Sequence, residues 1–136
     1  MIEPCIVAYL GADATIAGLV GNRIRPVEGG LKETRPFITY EVAGDEPIMS
    51  HSGPSNFATA TVEIGMVADT YAAAAQIADN VKRLCNGVQF SAASVDVIPS
   101  ILDDESDIAE ALEPGTNQMV FAKTMTFRML YRASLS

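Results

Sequence analysis

TATVEIGMVADTYAAAAQIADNVKRLCNG, residues 59–87, carries an alternating apolar rhythm that turns without a gap into a helical one. Ala60, Val62, Ile64, Met66 and Ala68 alternate with Thr59, Thr61, Glu63 and Gly65, the period of a half-buried strand. After Thr70 the apolar positions become Ala74, Ile77, Ala78, Val81, Leu84 and Cys85, three and four apart, with Gln76, Asp79, Asn80, Lys82 and Arg83 opposite. Asp69 or Thr70 can cap the free amides of this helix. Lys82 and Arg83 complement its dipole, and Gly87 can take the left-handed conformation that stops it. A strand feeding a helix that packs back on a sheet points to an α+β domain.

Working outward, 136 residues make one domain, large enough to bury a core without metal or disulfides. Hydrophobic residues are 49% and charged residues 19%, a folded composition. The net charge of -8 argues against a sequence-independent grip on nucleic acid phosphates. The N-terminal MIEPCIVAYLG lacks a basic leader region and no run of 18 apolar residues occurs, so an intracellular, soluble chain without membrane contact is expected.

Pro4 suits the first turn of a short helix bearing Ile6, Tyr9 and Leu10. Asp13 can cap a second bearing Ile16, Leu19 and Val20, which Gly21 and Asn22 end. In PFITYEVA, Ile38, Tyr40 and Val42 alternate with Phe37, Thr39 and Glu41 as a strand. GDEPIMSHSGPSNF is too rich in Gly, Pro and Ser to pack as a regular element and reads as a protruding hairpin loop over about 44–58. A weaker strand lies near 94–98, and the acidic stretch 103–113 suits a short helix or a loop. Met119, Phe121, Met125, Phe127, Met129 and Tyr131 mark the longest strand. The expected fold is α+β: one domain, a mostly antiparallel sheet of about four strands, a long helix on one face and short N-terminal helices.

Chemical motifs are sparse. His51 is the single histidine, so any Ser-His-Asp or Cys-His pair would depend on it, and a loop or interface role is the simpler reading. Cys5 and Cys85 are expected as buried free thiols, with a disulfide or intersubunit bridge as the alternative. They offer no zinc set, and no Walker loop or Rossmann fingerprint occurs, so no cofactor and no metal are expected. Asp103, Asp104, Glu105, Asp107, Glu110 and Glu113 lack the spaced ligand loop of a calcium site and read as a solvated face. A protein that binds other proteins, not an enzyme, is the resulting expectation.

The order DATIAGLVGNRIRPV, RPFITYEV, the 59–87 strand and helix, and a last strand ending in FRMLYR resembles the tail terminator (tail completion) proteins of long-tailed bacteriophages. The resemblance spans almost the whole chain and implies a homohexameric ring at the tail-neck junction of the virion, made in the host cytoplasm. Such a ring caps the tail tube, stops its polymerisation and offers a docking surface to the head-tail connector or neck protein. In a contractile tail it also meets the sheath, and DNA passes through the lumen without specific binding. A neck or head-closure ring is the alternative, with a small-ligand or enzymatic domain behind it. Candidate contacts to a neighbouring subunit or the tube are Ile48, Met49, His51 and Phe57 on the protruding segment. The acidic Asp103, Asp104 and Glu105 are candidates too, with Arg128 and Arg132 available to pair with acids of a neighbour.

Overall fold

The computed structural model describes residues 2–26, 34–50, 53–112 and 118–133. Three helices, α1 (Glu3–Ala12), α2 (Ala14–Val20) and α3 (Tyr71–Cys85), accompany the strands β1 (Ile24–Pro26), β2 (Phe37–Ser50), β3 (Gly53–Ala68), β4 (Val88–Ala92), β5 (Val95–Glu105), β6 (Ala109–Leu112) and β7 (Met119–Ala133). Seven strands form one sheet: six follow the order β1-β2-β3-β7-β5-β4, and the short β6 joins it by pairing with β7. The α+β class and the long helix are as expected. The sheet is larger than four strands and is mixed, because β1 runs parallel to β2.

The 59–87 stretch sets the architecture. Ala60, Val62, Ile64, Met66 and Ala68 are buried on one face of β3, and Ala74, Ile77, Ala78, Val81 and Cys85 of α3 close over the same core. Thr70 caps α3, its Oγ1 accepting from the Ala73 amide at 3.1 Å. Asp69 has another role, accepting from Arg35 Nε at 2.6 Å and tying the start of β2 to the strand-to-helix turn. Asp13 caps α2 through the Ile16 amide at 3.1 Å and also receives Arg83 of α3, so one carboxylate orients two helices. Ile2, Cys5, Ile6 and Leu10 fasten α1 to the common core, each large side chain contributing about 1.5–3 kcal/mol. Tyr9 stacks on Phe90 of β4 and donates to the Leu84 carbonyl at 2.6 Å.

Two further expectations are corrected and a third is extended. The 44–58 segment is not an irregular loop: β2 and β3 stay paired out to Ser50 opposite Gly53, with register shifts at 42/44 and 47/49. Pro47 sits beside the second shift, a place where a strand tolerates a missing amide donor. The acidic stretch is not helical over residues 103–112, since 103–105 end β5 and 109–112 form β6 against β7; Glu113 lies outside the described residues. Residues 94–98 belong to a β4–β5 hairpin whose strand continues to Glu105.

Between β5 and β6, Ser106 keeps the ladder to β7 continuous. Its amide donates to the Thr124 carbonyl at 2.9 Å, and its Oγ accepts from the Thr124 amide at 3.1 Å. The side chain thereby substitutes for a backbone acceptor across the break.

Candidate interaction surface

Beyond Phe57, which pairs with Arg132, the β2–β3 hairpin runs past the last described pairing of β3 with β7. Tyr131 of β7 anchors its base, its hydroxyl lying 2.7 Å from both carboxylate oxygens of Asp45 and reaching across β3 to β2. Burial first, then the hydrogen bond to Asp45 and its charge, push the Tyr131 phenol above its ordinary value. Ile48 is 38% exposed on this arm. Met49 has its backbone in β2 opposite Pro54, and His51 lies outside the described residues. Phe57 is half-buried under the Arg132 guanidinium, 5.4 Å from its ring centroid.

The acidic triplet divides between the two faces of the sheet. A register shift between Leu102 and Asp104 places Asp103 at a bulge, where it accepts from Arg128 at 2.9 Å. Asp104 lies opposite Thr126. Glu105 faces α3 and is held by Lys82 at 2.9 Å and Lys123 at 3.5 Å. The Lys82 hydrogen bond, with the Lys123 charge behind it, holds the Glu105 carboxyl below the usual carboxylate range. Arg132 Nε reaches Asp96 at 3.4 Å. Both arginines expected to engage a neighbour's acids therefore meet acids of their own chain, brought near by the β5–β7 pairing. On the helix-free face, Glu41 and Glu63 stand directly opposite each other, a like-charge pair for which the described residues supply no ion-pair partner.

Sequence reasoning missed a cleft between α3 and the β5–β6 break. About 290 Å³ in volume, it is lined by Tyr71, Ala75, Ala78, Asp79, Lys82, Asp107, Ile108 and Lys123. Tyr71 is 60% exposed, with Phe121 of β7 edge-on at 6.3 Å. The available signal was a tyrosine opening α3 outside its apolar stripe; the other wall comes from residues 36 positions further on and could not be read locally.

Among the described residues, no group of three or more His, Cys, Asp or Glu is placed to hold a metal. Cys5 and Cys85 are free and buried. Burial, reinforced by Cys5, pushes the Cys85 thiol up to about 12, far from a reactive thiolate. No single described helix is long and apolar enough to cross a membrane.

No family model matches the chain. A stretch of 74 residues is 34% identical to the diaminopimelate epimerase of Rhodococcus jostii (strain RHA1), covering 51% of this chain and 26% of that protein. The match thus spans about a quarter of the length of that curated relative. In fold, the chain is similar to one in the structure described as the virion of a native gene transfer agent (GTA) particle, with a TM-score of 0.66 at 15% identity. That likeness covers 92% of this chain and 90% of the other, so the two share a whole-domain fold.

Proposed function

We propose that this chain is a structural, non-enzymatic virion protein that forms a homohexameric ring capping the tail tube at the tail-neck junction. The observation that carries the reading is the nearly end-to-end fold likeness to a chain of a gene transfer agent virion. The sequence resemblance to tail terminators narrows it to the capping role. In this reading the ring binds the tube end more tightly than the next tube subunit does. It then refuses further addition and presents its other side to the head-tail connector or neck protein, with the sheath as a further partner in a contractile tail.

The physical features agree with such a role. A ring requires a heterologous contact between two different patches, and the projecting β2–β3 arm offers one of them. A net charge of -8 lets DNA pass a lumen without adhering. Light scattering of the purified protein, with electron microscopy of particles labelled by an antibody to this chain, tests the proposal. Six-membered rings and label at the tube's head end support it. Label on the head side of a separate terminator supports the neck or head-closure alternative, and absence of label from particles contradicts both.

The 74-residue likeness to an epimerase favours an enzymatic second reading. Turnover of diaminopimelate by the purified chain, followed by chiral chromatography, would support that reading against the structural one.

A further inference from the structure

We propose that the cleft between α3 and the β5–β6 break is a socket for an arginine-bearing segment of a partner protein. The inference comes from the cleft's own chemistry and goes beyond the virion reading. Its walls divide into three parts, each suited to a different portion of an arginine side chain. Ala75, Ala78 and Ile108 supply a short apolar floor for the methylene stem. Tyr71, 60% exposed and set against Phe121, offers an aromatic surface at the rim on which a planar guanidinium can lie. Asp79 on α3 and Asp107 in the β5–β6 break line the same cleft, and among the described residues neither has an ion-pair or hydrogen-bond partner.

The cleft also contains Lys82 and Lys123, which would suggest an anionic occupant if they were free. They are not. Lys82 lies 2.9 Å and Lys123 3.5 Å from the Glu105 carboxylate, and Lys123 also donates to the Ser106 carbonyl at 2.7 Å. Their charges hold the break in place. With Glu105 counted, the group carries one net negative charge, located on the two carboxylates that lack partners. Charge complementarity therefore selects a cation. Exposed Tyr71 and the two carboxylates that line the cleft favour arginine over lysine, because a guanidinium stacks and bonds through several planar donors whereas an ammonium is a hydrated point charge.

The test is an NMR titration of the whole protein with an acetylated, amidated pentapeptide containing two arginines. The control is the same peptide with citrulline at both positions, equal in shape and uncharged. The expected result is amide shifts concentrated at Tyr71, Asp79, Asp107 and Ile108, and affinity for the citrulline peptide lower by about tenfold or more. Asp79→Asn with Asp107→Asn should abolish the preference while leaving the spectrum of the unbound fold intact, since both side chains are exposed. Tyr71→Ala should weaken binding of the arginine peptide without touching either carboxylate. Equal binding of both peptides would overturn the proposal, as would shifts spread over Asp103, Asp104 and Glu63. Shifts at Tyr71 and Ile108 that depend on protein concentration without peptide would put a second copy in the cleft and overturn it as well.

Discussion

The Tyr131 hydroxyl lies 2.7 Å from both carboxylate oxygens of Asp45, joining the end of β7 to β2 across the intervening β3. This contact fixes the base of the projecting hairpin. Tyr131→Phe removes only the donor. Because Asp45 is exposed and can be rehydrated, the loss should be about 1.5 kcal/mol, at the low end for a hydrogen bond to a charged group. The folded phenol is raised above its ordinary value of 10.0, so the contribution is intact below pH 10 and disappears as rising pH ionises it. Urea denaturation of wild type and variant at pH 8 and pH 11 measures both effects.

Glu105 gives the opposite pH dependence. Its carboxyl is depressed below 4.5 by Lys82 and Lys123, so its stabilisation is present above that value and is lost as pH falls through the lower folded value. Glu105→Gln should lower the melting temperature at pH 7, and the gap to wild type should close as the pH falls through the lowered folded value. Thermal melts from pH 7 to pH 3 provide the check. A gap that widens on acidification would contradict the ion-pair account.

The two thiols should be inert while the protein is folded. Cys5 and Cys85 are almost fully buried, and burial raises both. Alkylation by iodoacetamide at neutral pH, followed by mass spectrometry, should label neither in buffer and both in denaturant. Rapid native labelling of Cys85 would mean that the core beneath α3 opens readily.

What was legible in the sequence follows from where the physical signal is local. Burial of alternate residues on one face of β3 and the stripe on α3 are set by neighbours within a few residues, and the caps at Asp13 and Thr70 stand where their oxygens were expected. Strands at 47–50 and 53–56 were hidden because Pro47, Gly53 and Pro54 weaken intrinsic strand preference, which pairing across a long hairpin overrides. The acidic end of β5 was hidden for a similar reason: Arg128, Lys82 and Lys123 neutralise it from elements distant in sequence. Among the proposed contact residues, Ile48 is exposed, whereas Arg128 and Arg132 already have partners in their own chain.

The β4–β5 turn was unreadable because its residues are atypical. Ala93 and Ser94 adopt φ of 48° and 63°, the left-handed pattern that tight two-residue hairpins usually assign to Asn-Gly. Ala93→Asn with Ser94→Gly should relieve this strain and stabilise the fold by about 1 kcal/mol. Chemical denaturation of the double variant tests it, and a loss of stability would show that the turn is held by contacts of the native side chains.

The capping role is tested most directly by electron microscopy of particles produced when this reading frame carries a nonsense codon. The proposed function predicts tubes of uncontrolled length and heads without attached tails, with normal tails restored by supplying the protein in trans. Tails of normal length already joined to filled heads would contradict it.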